Sequence, residues 1–306
     1  MKKVFLIMSL VLVMTLLGAC GSSEEENAAS VATSSSGETE SALQVIDPTE
    51  DVISDVTKND ELYAMLPDSV KESGKLVNGL DDAYPPMSYR ADDNTLIGWD
   101  VDYGNAIAKK LGIEIEWTPA DFAGIITGVQ TKKYDIALSA LTITDERAEM
   151  VDFSDDYFYS GATVIIREDS VGDIQSIKDL EGKTVAVQLG SSSETKIADL
   201  DYIEDVKTYS TITDELLDLK NGRVDAVVEG LPVAMYYSAQ TDGIMAVETI
   251  DSYPYGVAFN KDEDGQALRA AWNAAMQELK EDGTLDKITQ KWFGADYDNG
   301  HFGVSK

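Results

Sequence analysis

From residue 74 onward the chain alternates short apolar runs with stretches of helical spacing. The run Lys75-Leu76-Val77-Asn78-Gly79-Leu80 predicts a strand. Val101, Gly104, Ala108 and Leu111 share one helical face, which predicts a helix over 100–111. Ile113, Ile115 and Trp117 alternate with Glu114 and Glu116, the period of a half-buried strand. Residues 122–131 are helical in pattern, and 134–138 return to a strand. The order β-α-β-α-β predicts a mostly parallel sheet with helices on both faces.

A second unit of the same kind follows. A strand at 184–187 is bounded by Gly182 and Gly190, and a helix begins near Ser192. A further helix is expected over 214–220 and a strand over 224–228. The stretch Gln130-Thr131-Lys132-Lys133-Tyr134-Asp135-Ile136-Ala137 echoes Leu219-Lys220-Asn221-Gly222-Arg223-Val224-Asp225-Ala226: a helix end, a basic turn, then an Asp opening a buried strand. Residues 264–292 read as a long amphipathic helical stretch broken at Asp282-Gly283. The expected fold class is therefore α/β, in two lobes joined by extended crossovers. Such a fold receives a ligand between the lobes, at the carboxyl ends of the strands.

The first 72 residues follow other rules. Met1-Lys2-Lys3 precedes an apolar run over 4–17, too short for a stable membrane span and flanked like an export signal. The run ends Leu17-Gly18-Ala19-Cys20-Gly21-Ser22-Ser23, which resembles the lipobox of bacterial lipoproteins. That resemblance implies a signal peptide over 1–19 and lipid on the Cys20 thiol, with several acyl chains needed for a firm hold on a bilayer. Residues 21–72 carry thirteen acidic residues against Lys58 and Lys71. An acidic flexible tether is expected over 20–72, with a short helix or two near its end and a break at Pro67.

Charge and composition remove several functions. The 306 residues carry a net charge of −32, so nucleic acid and anionic membranes are not partners for this surface. One Cys and one His (His301) exclude Cys/His zinc sites and Cys/His nucleophile pairs. No disulfide can form within the chain, and no cofactor or metal is expected.

Several motifs stand in one order along the folded part. They are Tyr84-Pro85-Pro86, Gly98-Trp99-Asp100-Val101-Asp102-Tyr103 and Asp121-Phe122-Ala123-Gly124-Ile125-Ile126. The longest begins at Asp135-Ile136-Ala137-Leu138-Ser139-Ala140-Leu141-Thr142, continues Ile143-Thr144-Asp145-Glu146-Arg147, and reaches Val151-Asp152-Phe153-Ser154. Ile177-Lys178-Asp179-Leu180-Glu181-Gly182-Lys183, Val185-Ala186-Val187-Gln188-Leu189-Gly190-Ser191-Ser192 and Lys291-Trp292-Phe293-Gly294 follow. From about residue 74 to 295 the chain resembles the family 3 solute-binding proteins, the polar amino-acid receptors of ABC importers. Glutamine-binding proteins are similar to it.

The resemblance implies a type II periplasmic-binding-protein fold. Lobe 1 would comprise 73–160 and 254–306, lobe 2 would comprise 161–253, and crossovers at 157–161 and 251–255 would act as hinges. It also implies site roles. Arg147 matches the arginine that grips the α-carboxylate, and its planar fork of donors suits that task. Thr142 would bond the same carboxylate, and Ser139 and Ala140 would present backbone groups. Tyr84 and Phe122 match aromatic walls. Ser191 and Ser192 would offer amides and hydroxyls from lobe 2, or serve as plain helix caps. Asp81 and Gln188 match positions that read the ligand side chain. Asp100 and Asp102 are expected to be structural.

One position departs from the family pattern. Gly230 stands where an Asp usually holds the ligand ammonium, and Glu229 precedes it. Three readings follow: Glu229 reaches the ammonium, lobe 1 holds it, or the ligand is not a standard α-amino acid. The expected function is capture of a free amino acid, with a neutral polar or basic side chain, for an ABC permease. The protein would be a monomer, lipid-anchored through Cys20 on the extracellular face, or periplasmic where an outer membrane exists. No enzymatic activity is expected. The alternatives are a cleft enzyme of the same fold, a dehydratase of cyclic prearomatic acids, and a sensory receptor domain with a separate partner.

Overall fold

A computed structural model describes residues 47–294. Cys20, the signal segment over 1–19, the first part of the tether and His301 lie outside the described residues.

Two five-stranded sheets form the two lobes. In the first, strands Glu114–Pro119, Lys75–Leu80 and Ile136–Ala137 run parallel. Ala258–Phe259 runs against Ile136–Ala137, and Asp152–Phe153 completes the edge beside it. In the second, Asp205–Tyr209, Thr184–Gln188 and Ala226–Gly230 are parallel. Phe158–Arg167 runs against Ala226–Gly230, and Ile244–Tyr255 runs against Phe158–Arg167. Each sheet thus has one strand opposed to the other four. The α/β reading with largely parallel sheets holds, and each parallel stretch is joined through helices as expected.

Both crossovers are strands of the second sheet. Tyr255 pairs with Phe158, Pro254 with Tyr159 and Tyr253 with Ser160. The register breaks between Ile250 and Tyr253, where Asp251 has a φ of 58°. At that break the strands press together: a Cβ on Gly161 would lie 2.5 Å from the Asp251 carbonyl oxygen. An aromatic stack lies beneath. Tyr157 stacks between Trp99, with ring centroids 5.4 Å apart, and Tyr103 at 5.0 Å.

The tether expectation needs correction at its C-terminal end. Helices Asp60–Met65 and Asp68–Ser73 are folded onto lobe 1. Leu62, Leu66 and Val70 are buried in the main core with Leu111 and Leu279. Asn59 caps the first helix, accepting from the amides of Glu61 and Leu62, and its side-chain amide donates to Glu278 at 2.7 Å. Three buried aliphatic side chains, each worth about 1.5–3 kcal/mol, hold this acidic segment in place. The expected break at Pro67 falls between the two helices, where Pro lies at the N-cap of the second.

Candidate functional site

Four strands end at the cleft, and the loops that follow them carry its residues. Lys75–Leu80 leads to Asp81 and Tyr84, and Ile136–Ala137 leads to Ser139, Ala140 and Thr142. Thr184–Gln188 ends on Gln188 and leads to Ser191 and Ser192, while Ala226–Gly230 ends on Glu229 and Gly230. Arg147 sits in the helix Asp145–Met150, started by the Thr144 hydroxyl, which accepts the Arg147 amide.

The loop after Ile136–Ala137 is held from behind. Ala140 has a φ of 47°, a conformation disfavoured for a residue with a Cβ. Its amide donates to Asp100 Oδ2 at 2.7 Å. Asp100 is fully buried in the first turn of the helix Trp99–Leu111. Burial pushes its carboxyl up to about 7, against the lowering pull of the Ala140 amide and the Tyr157 hydroxyl. Asp102 is structural too: it accepts from Trp292 Nε1 at 2.7 Å and pairs with Lys291 at 2.8 Å.

The lobes touch across the cleft through side chains predicted for the site. Arg147 Nη1 donates to the Thr142 carbonyl at 2.8 Å, and Nη2 to the Gly190 carbonyl of lobe 2 at 2.9 Å. The Thr142 and Ser192 hydroxyls are 3.1 Å apart. Tyr84 donates its hydroxyl proton to Glu229 Oε2 at 2.9 Å. Gln188 Nε2 donates to Asp81 Oδ2 at 2.6 Å, and the Gln188 amide to Glu229 Oε1 at 3.0 Å.

Three spaces lie along this seam. An inner cavity of about 20 Å³ is bounded by Tyr84, Phe122, Ala140, Thr142, Gln188, Ser191, Ser192 and Glu229. That is room for about one water. A groove of about 670 Å³ opens beside it, with Arg147 in its wall; Phe122, Ser191, Ser192 and Tyr253 border both. A third space of about 520 Å³ is lined by Asp81, Asp82 and Asp121 with Lys133.

Charge is segregated along the cleft. Arg147 is 8% exposed, and burial pulls its guanidinium below the usual range. Its Cζ stands 5.5 Å from the centre of the Phe122 ring. Glu229 is 1% exposed, so its carboxyl lies inside the cleft wall rather than in solvent. Burial raises its carboxyl to about 7, although the Tyr84 hydroxyl and the amides of Gln188 and Gly230 favour ionisation. Burial raises Asp81 as well.

A family model described as bacterial extracellular solute-binding proteins, family 3, matches residues 76–295. The chain belongs to this family. Among family 3 relatives, the L-cystine-binding protein TcyJ of Escherichia coli (strain K12) is 35% identical over 238 residues, covering 76% of this chain and 87% of TcyJ. The arginine-binding extracellular protein ArtP of Bacillus subtilis (strain 168) is 37% identical over 233 residues, 74% of this chain and 89% of ArtP. The solved structure of an ancestral arginine-binding protein bound to arginine matches with a TM-score of 0.69 at 41% identity, covering 72% of this chain and 99% of that one.

Against the family 3 expectation, the predicted residues divide into three groups. Tyr84, Phe122, Ala140, Thr142, Gln188, Ser191, Ser192 and Glu229 line the inner cavity. Arg147 faces the adjoining groove, and Asp81 the acidic space. Ser139 stands behind them, its hydroxyl accepting the Asp81 amide at 2.9 Å. Ser191 also caps the helix Ser192–Ala198, accepting the Glu194 amide at 3.0 Å. Sequence reasoning missed Ser160, Ser193, Tyr253 and Tyr255, which complete the cavity wall. Ser160, Tyr253 and Tyr255 fall inside the expected crossovers, and the pairing of those two segments was the signal available.

Proposed function

We propose that this protein captures a polar amino acid between its lobes and delivers it to an ABC importer. The observation that carries the reading is the charge layout of the cleft. A buried Arg147 stands on one side of the Phe122 ring, and buried Asp81 and Glu229 lie along the same seam. A free amino acid presents a carboxylate and an ammonium, and each needs a partner of opposite charge when desolvated. The acidic side favours a neutral polar or basic side chain, in keeping with relatives named for arginine and cystine.

The inner cavity of about 20 Å³ is far below the roughly 300–1,000 Å³ of small-molecule sites. Entry therefore requires the lobes to part, and the irregular crossover pairing at Asp251 is where we place the hinge. The site roles given to Arg147, Thr142, Tyr84, Phe122, Ser191, Ser192, Gln188 and Asp81 belong to this reading, as does the use of the cleft for binding rather than turnover. So do the lobe boundaries and the monomeric state. The N-terminal signal, the lipid on Cys20 and a place on the outer face of the cell membrane complete it.

Calorimetry on the full chain, unfolded and refolded in mild detergent, tests it. The panel is the twenty amino acids, ornithine, cystine and several carboxylates without an amine. Binding of one or a few amino acids, lost in Arg147→Ala, is expected. Binding confined to carboxylates lacking an amine overturns the reading in favour of a cleft enzyme.

A further inference from the structure

Among the described residues, Asp81, Asp100, Glu215 and Glu229 are the buried carboxylic acids, and Glu215 borders none of the three spaces along the cleft. It lies on the helix Ile212–Lys220, is fully buried, and faces Glu229. Neither of its oxygens has an N–H or O–H donor of another residue within reach among the described residues, apart from what the Glu229 carboxyl offers. Glu229 is better provided: Oε1 accepts the Gln188 amide and Oε2 the Tyr84 hydroxyl. With the Gly230 amide also donating to Oε2, a carboxylate with three donors keeps its charge more readily than one with none. The proton of such a pair therefore sits on Glu215, which donates it to Glu229.

We propose that Glu215 is a further specificity-determining residue of the cleft, forming with Glu229 a pair that shares one proton and receives a cationic group of the ligand. The inference rests on the reading of the cleft as an amino-acid site. As the cation settles beside Glu229, the Glu215 O–H bond breaks and its proton passes to solvent. The pair goes from one negative charge to two while the cation adds one positive charge, so the cation takes the place of the proton and the net charge buried at the pair stays at minus one.

The surroundings favour this assignment. The groups that face the pair are Asp81, Asp214, Tyr84, Tyr209, Tyr237 and Tyr255, none of them a cation. No Lys or Arg among the described residues forms an ion pair with Asp81, Glu215 or Glu229. Burial raises both carboxyls, and each is held up further by acidic neighbours. Gly230 explains why the acid is not one residue later. A Cβ there would lie 2.7 Å from the Tyr84 hydroxyl and 2.8 Å from that of Tyr255. Glu215 acts through Glu229 and is a positioning residue rather than a direct contact.

The test is calorimetric titration of the full chain with L-arginine and L-glutamine as probes, in phosphate and in bis-Tris, from pH 5.5 to 7.5. Buffer-dependent heat counts the protons exchanged. Release of about one proton is expected on binding, with affinity rising about tenfold per pH unit below the pair's titration. Release with both probes assigns the pair to the ammonium, and release with arginine alone assigns it to the side chain. Glu215→Gln should still bind, with the proton release gone and the pH slope flattened. An infrared difference spectrum of the unmodified chain gives a second readout, loss of a protonated-carboxyl band on binding. Binding without proton release, or unchanged release in Glu215→Gln, overturns the pair and leaves the amino-acid reading standing. Failure of every amino acid to bind overturns both.

Discussion

Arg147 Nη2 donates to the Gly190 carbonyl at 2.9 Å, so the guanidinium of one lobe rests on the backbone of the other. Its neighbour Nη1 holds the Thr142 carbonyl of its own lobe at 2.8 Å. The fork is thus aimed by two fixed oxygens before any carboxylate meets it. Arg147→Lys keeps the charge and loses the fork. Amino-acid affinity in that variant should fall by about 10–100-fold, the cost of one or two charge-assisted hydrogen bonds. Calorimetry with whichever amino acid binds the parent chain checks this, and undiminished affinity would show that geometry at Arg147 is unimportant.

Asp100 supports the site without reaching its surface. Asp100→Ala leaves the buried Ala140 amide without its acceptor, next to a residue already at a φ of 47°. A loss of about 1–3 kcal/mol in urea unfolding is expected. Weaker ligand binding should accompany it, because Ala140 lines the cavity. Asp100→Asn, which keeps an acceptor oxygen, should recover most of the stability.

The pH dependence of stability follows from buried acids. Asp100 and Glu229 are raised by burial to about 7, and Asp81 and Glu215 are raised as well. For a raised carboxyl the folded state holds more protons than the unfolded state between the ordinary value and the raised one. Stability therefore falls as pH climbs from about 4 through 7, by an amount on the order of 3–4 kcal/mol for each of Asp100 and Glu229. Asp218, bonded by Tyr209, and Asp262, paired with Lys132, are held low and oppose this only in stronger acid. The ligand-free chain should melt at higher temperature at pH 5 than at pH 8, and a flat or rising profile would contradict the assignment.

Leu66 is 2% exposed, at the end of a segment whose composition looks solvated. Leu66→Ala should destabilise the protein by about 2–4 kcal/mol in denaturant titration, the usual range for a buried leucine. A shift near zero would mean that the segment before residue 74 is dispensable to the fold.

Much of the architecture is legible because parallel strands and their helices are local patterns. The 100–111 helix appears as Trp99–Leu111, and the break at Asp282-Gly283 separates Glu263–Glu281 from Thr284–Phe293. Strand ends are less exact: 224–228 becomes Ala226–Gly230. Phe158–Arg167 and Ile244–Tyr255 escape notice as strands. The first is buried on both faces and shows no alternation, and the second changes register partway. Tyr253 and Tyr255 reach the cavity only through that pairing. Glu215 reads as an ordinary acidic residue in a first helical turn, because only packing against Glu229 removes it from water. Leu62, Leu66 and Val70 are hidden for the opposite reason, a short apolar stripe inside an acidic stretch.

Among the described residues, the two helices before residue 74 pack on elements of lobe 1. Asp60–Met65 lies on Glu263–Glu281 and Trp99–Leu111, and Asp68–Ser73 lies on Lys75–Leu80. Lys109 adds a clasp, donating to the Ile53 carbonyl at 2.8 Å. A force arriving from the N-terminal side would meet these helices before it reached the two-stranded ribbon between the lobes. On the proposed hinge between the lobes, lobe 2 would swing unloaded, as a door does when the leash is tied to its frame.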